Sequence, residues 1–265
     1  MRPNLAVLLT AAFYLGGCSS LSSPSQKRID SANNFFGMGL GFFDDGSYPE
    51  SLQAFEQASA LIPNNPDFEM HRALALYYVD RHEQSLDLLR KTCLLREEFP
   101  DCHNNLAVLL LKSGKSAEAL KHAEKALSAA TYSTPNFAKT NKGLALHALG
   151  RDREAIETFT TIQDDSSSPL HCRNELYLSR SYLSLANFSQ ASRHARIGRD
   201  VCLNEETALL WQAYVQYRTG QIVEAKDLYL EALRTFHNPE LRDEARVSLN
   251  QLNREEVLAE PKLFL

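Results

Sequence analysis

The sequence predicts an all-α solenoid of six helical hairpins closed by a C-terminal capping helix, and three observations carry that prediction. A small residue returns at Ser51, Ser85, Ala119, Ala155, Ala191 and Ala225, with gaps of 34, 34, 36, 36 and 34 residues. Each stands in a similar phrase, such as Glu118-Ala119-Leu120, Glu154-Ala155-Ile156 or Glu224-Ala225-Lys226. A period near 34 residues with this phrasing marks a helix–turn–helix repeat. Helix stops fall midway through most periods, at Gly46, Gly114, Gly150 and Gly220. Pro63, Pro66, Pro100, Pro135, Pro169 and Pro239 fall where one hairpin hands over to the next.

The N-terminal segment reads as targeting. Arg2 gives a positive start, and Leu5 to Leu15 is an apolar run broken only by Thr10. The run is too short to span a bilayer and has the length of a signal-peptide core. It ends in Leu15-Gly16-Gly17-Cys18, followed by Ser19. This arrangement resembles the bacterial lipobox, in which the signal is removed before a cysteine that becomes lipid-modified. The expectation is a signal peptide over 1–17, lipidation at Cys18, and a Ser/Pro-rich tether over 18–30. An ordinary secretory signal cut nearby is the alternative. By resemblance to bacterial lipoproteins, Ser19 implies a lipid anchor in the outer membrane with the solenoid in the periplasm. Several acyl chains, at about 0.8 kcal/mol per buried methylene, make a firm anchor.

The repeats are expected at 32–65, 66–99, 100–135, 136–171, 172–205 and 206–239. They fit the tetratricopeptide pattern, which wants small residues at positions 8, 20 and 27 and a large one at 24, and which implies a right-handed superhelix. Position 8 is Gly39, Ala73, Ala107, Gly143, Ser179 and Ala213, and all six are small. Position 24 is Phe55, Leu89, Ala123, Phe159, Ala195 and Tyr229. Small residues at 8 and 20 let the two helices of a hairpin approach closely. The second and fifth repeats carry Asp80 and Ala186 at the turn and match less well. A capping helix is expected over 240–257, with Leu241, Ala245, Leu249 and Leu252 on its apolar stripe, followed by a tail over 258–265 that is loose from Glu260.

Four cysteines remain after Cys18, and an even number in an exported chain points to disulfides. Cys172 opens the fifth repeat and Cys202 lies near its end, so an antiparallel hairpin sets them side by side. Cys93 and Cys102 face each other across the junction of repeats two and three. The register therefore favours Cys93–Cys102 and Cys172–Cys202, with four buried free thiols as the alternative.

Composition excludes several function classes. The net charge is −5 with both signs interspersed, which argues against nucleic acid. Hydrophobic residues make up 44% of the chain, which argues against disorder. Gly114-Lys115-Ser116 imitates the end of a phosphate loop, but Leu109 stands where that motif needs glycine. Gly37, Gly39 and Gly41 imitate a dinucleotide loop without a preceding strand, and are expected to let the first hairpin pack tightly. Cys102-His103 and His171-Cys172 are poor chelators, because adjacent helical residues point apart. No catalytic constellation, metal site, cofactor or small-molecule substrate is expected.

The function is then expected in the concave face. Positions 5, 9 and 12 of each first helix point into it, being four and three residues apart. They read Phe36, Leu40, Phe43; Met70, Leu74, Tyr77; Asn104, Val108, Leu111; Thr140, Leu144, His147; Leu176, Arg180, Leu183; and Leu210, Tyr214, Tyr217. The candidate partner-binding residues are the apolar and aromatic members of this set together with Asn104. Such a groove suits an amphipathic helix or a strand with apolar anchors. The alternative is that the stripe is core, buried by curvature or by the N-terminal segment. Asn105 and Asn141 read as hydrogen-bonding residues between hairpins. A groove that clamps a peptide carboxylate would put Lys and Arg at these positions, and only Arg180 qualifies, which argues against that mode.

One stretch goes beyond generic repeats. Asn104-Asn105-Leu106-Ala107, Gly114, Glu118-Ala119-Leu120, Tyr132-Ser133-Thr134-Pro135 and Asn141-Lys142-Gly143-Leu144 resemble the type IV pilus pilotins of the PilF/PilW/Tgl type. That family has a doubled Asn opening a repeat, a Tyr-x-x-Pro junction and Asn-x-Gly in the next repeat. Leu106 departs from the aromatic often found there. The resemblance implies an outer-membrane lipoprotein with six repeats that binds the secretin subunit and promotes its localisation and multimer assembly. The rival expectation is a periplasmic adaptor that scaffolds a protease, a peptidoglycan enzyme or a tight-adherence secretion complex.

Overall fold

The computed structural model describes residues 24–261, apart from 97, 131, 163–168 and 203–205. The expected signal peptide, Cys18 and the final four residues lie outside the described residues. Thirteen helices and no strand occur among the described residues. They are α1 Pro24–Asp44, α2 Tyr48–Leu61, α3 Pro66–Tyr78, α4 His82–Thr92, α5 Pro100–Lys112, α6 Ser116–Ser128, α7 Pro135–Ala148, α8 Asp152–Thr160, α9 Pro169–Ser184, α10 Phe188–Val201, α11 Glu206–Arg218, α12 Ile222–Thr235 and α13 Pro239–Asn253. Consecutive helices pair as antiparallel hairpins from α1–α2 to α11–α12, and α13 packs on α12. The chain is an all-α solenoid.

The turn inside each hairpin shows why the period is visible. Gly46, Gly114, Gly150 and Gly220 have φ of +75°, +71°, +74° and +81°, the left-handed region open to glycine. Asp80 and Ala186 adopt the same conformation, with φ of +60° and +54°. The two repeats that match less well in sequence thus make the same backbone turn. The hydrogen bonds show it too. Lys115 N–H donates to Leu110 O at 2.8 Å, and Asn187 N–H to Tyr182 O at 2.9 Å. This six-to-one bond satisfies a carbonyl that the helix end would leave orphaned. Asp tolerates the left-handed region better than Ala, so Ala186 carries the larger strain.

Proline sets the next helix start. Pro66, Pro100, Pro135 and Pro239 stand in the first turn, where a missing N–H costs nothing. Asn65 and Asn238 cap α3 and α13, each side chain accepting two backbone N–H bonds.

Close packing follows the small residues. Ser51, Ser85, Ala119, Ala155, Ala191 and Ala225 are all fully buried. Ser51 Oγ donates to Gly39 O at 2.9 Å and Ser85 Oγ to Ala73 O at 2.6 Å, stitching the two helices of a hairpin. In the α9–α10 hairpin the direction reverses, with Ser179 Oγ donating to Ala191 O at 2.7 Å. Glycine occurs at the eighth position only where the partner helix brings phenylalanine. A Cβ on Gly39 would lie 2.5 Å from the Phe55 ring, and one on Gly143 2.4 Å from the Phe159 ring. Gly37 and Gly41 meet nothing within 4 Å and face solvent, so of that trio only Gly39 serves close packing.

Both ends differ from the sequence expectation. The segment read as a tether is helical from Pro24, so α1 begins well before position 32. Residues 25–31 are exposed, and the Gln26 amide donates to Asp30 at 2.9 Å. Gln, Lys and Arg are good helix formers, and the helix runs on without a core beneath it. At the other end α13 stops at Asn253, and Glu255 turns left-handed with φ of +58°. The chain after it folds back: Leu258 is 4% exposed, and Glu260 lies 2.7 Å from Arg180. The tail expected to be loose from Glu260 is instead tied down there by the Arg180 pair.

Candidate functional site

The concave-face residues fall into two groups. Phe36, Leu40, Phe43, Leu74, Tyr77, Asn104, Val108 and Tyr217 are half-buried. Met70, Leu111, Leu144, Leu176, Leu183, Leu210 and Tyr214 are buried. The half-buried set is concentrated in α1, α3 and α5. In α9 and α11 Leu176, Leu183, Leu210 and Tyr214 of the same register form core, in one apolar cluster with Trp211, Tyr229 and Leu258. For those seven buried residues the stripe is packing surface, because neighbouring hairpins and the C-terminal segment cover it.

The open stretch is aromatic. Phe36 sits 4.8 Å from Phe68 and 5.6 Å from Phe55 between ring centroids, so its inner face rests on core. Phe43 meets Tyr48 at 5.3 Å and Tyr78 at 5.4 Å, both edge-on. Tyr48 and Tyr78 stack at 4.4 Å, and Tyr77 lies 4.4 Å from His82. Burial, with Tyr78 as a lesser cause, pushes the Tyr77 hydroxyl above its ordinary pKa, so it stays a neutral donor. Tyr48 and Tyr78 were not among the sequence candidates. They stand at a turn and at a helix end, outside the three-position register. The aromatic run Phe42, Phe43, Tyr48 around one turn was the available signal.

A polar strip crosses the middle of the face. Asn141 Nδ2 donates to Asn104 Oδ1 at 2.8 Å, linking α7 to α5, and Asn105 Nδ2 lies 3.5 Å from Met70 Sδ. Thr140 bonds its own helix at Asn136 O, and His147 Nδ1 lies 2.5 Å from Asp152 Oδ1. Farther on, the Arg180 side chain faces the Glu260 carboxylate at 2.7 Å.

Two disulfides brace the scaffold. Cys93 and Cys102 are bonded with Cα atoms 5.5 Å apart, and Cys172 and Cys202 with Cα atoms 5.2 Å apart. The first pair ties α4 to α5, and the second ties the start of α9 to the end of α10. Between hairpins, Arg90 makes a two-armed contact with Glu118 at 2.8 and 3.0 Å. That hydrogen bond holds the Glu118 carboxyl below its ordinary pKa. Near it His103 Nδ1 lies 3.1 Å from His122 Nδ1, and His103 Nε2 is buried without a partner among the described residues. Burial first, then Lys125 and His122, lower the His103 pKa to about 4. Gly114-Lys115-Ser116 forms the α5–α6 turn, and Lys115 reaches Glu83 at 3.3 Å. Among the described residues no three His, Cys, Asp or Glu side chains converge as a metal-ligand set.

Residues 104–169 match the family model described as tetratricopeptide repeat. That match covers 66 of the 265 residues, from α5 to the start of α9. The chain is similar over part of its length to the TPR repeat-containing thioredoxin TTL4 of Arabidopsis thaliana. The two are 25% identical over 107 residues, which cover 40% of this chain and 16% of that protein. The chain spans between 16% and 57% of the length of the curated relatives it matches. Among solved structures, PilW, a type IV pilus biogenesis factor, superposes with a TM-score of 0.72 at 18% identity. That match covers 80% of this chain and 97% of PilW. PilF of Pseudomonas aeruginosa superposes with a TM-score of 0.66 at 15% identity, covering 83% of this chain and 99% of PilF. At these identities the likeness is one of fold. The tetratricopeptide solenoid is a protein-interaction scaffold, and the half-buried aromatic groove is where this one offers surface.

Proposed function

We propose that this chain is a pilotin: an outer-membrane lipoprotein, anchored through Cys18, whose periplasmic solenoid binds the secretin subunit of the type IV pilus machine. Binding promotes the subunit's arrival at the outer membrane and its assembly into multimers. The observation that carries the binding role is the open, aromatic-lined stretch of α1, α3 and α5. It presents Phe36, Leu40, Phe43, Leu74 and Tyr77 partly exposed on a rigid frame. Rings held in place by other rings bury large area on binding at low entropic cost. The pilus assignment draws support from the lipobox-like Leu15–Cys18, the wording between Asn104 and Gly150, and the shared fold with PilW and PilF. An apolar segment of the subunit, helical or extended, fits a groove of this kind.

The test is deletion of the gene with heat-resistant secretin multimers as the readout. The expected outcome is loss of multimers, with monomers left in the inner membrane. Normal multimers would refute the proposal and leave an envelope adaptor as the reading. Leu74→Asp should abolish pull-down of the subunit while the helical circular dichroism stays intact. Wild-type binding by the folded variant would place the site elsewhere.

A further inference from the structure

The segment beyond α13 behaves as a ligand of its own chain. Glu255 turns the backbone left-handed, and Glu256 N–H closes the helix end on Gln251 O at 2.9 Å. The next residues run without regular structure and bring Glu260 to Arg180 of α9. Val257 is 82% exposed, Leu258 is 4% exposed, and Pro261 is buried again. Leu258 joins the cluster that holds Leu183, Leu210 and Tyr214. Two residues on, Glu260 sets its carboxylate against Arg180. Arg180 is the one cation at the concave register positions, and it is matched by the carboxylate. An apolar anchor in a pocket with a charge placed beside it is how an extended peptide is read.

We infer that the concave face of α9 and α11 is a second peptide-binding site, and that residues 257–261 are its resident occupant. The site takes an extended segment with a leucine anchor and a carboxylate two residues after it, offered by a partner protein that displaces the cis segment. The platform is built to outlast the occupant. Cys172–Cys202 closes the hairpin beneath it, and Trp211 is fully buried there with its indole N–H on Ser179 Oγ at 2.9 Å. The occupant itself is held by two buried side chains and an ion pair whose members are 32% and 40% exposed. Exposed pairs of that kind hold weakly, so the strap is the part that lets go. A tethered segment competes at an effective concentration on the order of millimolar, which keeps weak partners out. The inference stands whether or not the aromatic groove takes a pilus subunit.

The test uses a fluorescent peptide of residues 254–265 and the full-length chain. Leu258→Asp in the chain releases the strap and should tighten binding of the wild-type peptide at least tenfold over the unmutated chain. The same peptide carrying Leu258→Asp should not bind. Adding Arg180→Glu to the released chain should weaken binding about tenfold. A folded Leu258→Asp chain that binds the peptide no better than the unmutated one would overturn the inference. If that variant fails to fold, Glu260→Arg keeps the leucine and breaks the pair. It should raise hydrogen exchange over 257–261 and tighten peptide binding several-fold, and no change in either would overturn the inference.

Discussion

The two halves of the concave face share one register and differ in what covers them. In α1 and α3 the inward positions hold Phe36, Leu40, Phe43, Leu74 and Tyr77, half-buried with one side free. In α9 and α11 they hold Leu176, Leu183, Leu210 and Tyr214, buried in a cluster with Trp211 and Leu258. Hydrophobicity does not separate the halves, since both are apolar. What separates them is the buried Trp211 and the returning strap with Leu258, both present at one end. An apolar helix stripe is free to a partner only where nothing else in the fold covers it.

The sharpest way to break this comparison is to remove the anchor of the closed half. Trp211→Ala should cost about 3–5 kcal/mol, because it opens a cavity and removes the indole donor from Ser179 Oγ. Leu74→Ala in the open half should cost about 1 kcal/mol. Urea unfolding midpoints measure both, and equal losses would end the distinction. The disulfides come next. Cys172 and Cys202 close a separation of 30 residues, Cys93 and Cys102 one of 9. Replacing both cysteines of a pair by Ala should cost about 4 kcal/mol for the longer loop and about 3 for the shorter. Thermal melts of the two double variants give the order.

A pH effect sits where the open half ends. The His103 pKa is lowered to about 4 in the fold, against about 6.5 when unfolded. Between those values the unfolded chain binds the extra proton. Its contribution to stability is therefore intact above pH 6.5 and is lost as pH falls towards 4, up to about 3 kcal/mol. His103→Gln should flatten that slope in melts taken from pH 7 to pH 4; an unchanged slope would assign it to other groups, His122 and the carboxylates among them. The smallest effect is backbone strain in the closed half. Ala186→Gly relieves a left-handed alanine and should stabilise the chain by about 1 kcal/mol, whereas Asp80→Gly should gain less. Differential scanning calorimetry separates the two.

Much of this was legible in the sequence. Small residues at a 34-residue spacing mark helix–helix contacts, and the structure buries every one from Ser51 to Ala225. Gly39 and Gly143 pair with Phe55 and Phe159, a complementarity readable from the register once the ring positions are known. The turns at Asp80 and Ala186 were harder to read, because the signal is glycine while the requirement is only a positive φ. Tyr48 and Tyr78 were missed because they meet across a turn, where helical periodicity says nothing. The helix from Pro24 was missed because its first turns bury nothing, so they leave no apolar stripe to read.

By itself the sequence determined the period, the helix stops and starts, and the list of positions that face inward. These are local matters, fixed by propensity, capping and the 3.6-residue turn. Which inward positions stay open was decided only in three dimensions. Trp211 comes from the neighbouring hairpin, and Leu258 lies 75 residues beyond Leu183 in the chain. No local pattern records that they meet. Burial is a property of what arrives from elsewhere, and the strap carrying Leu258 to Arg180's side of the molecule arrives last.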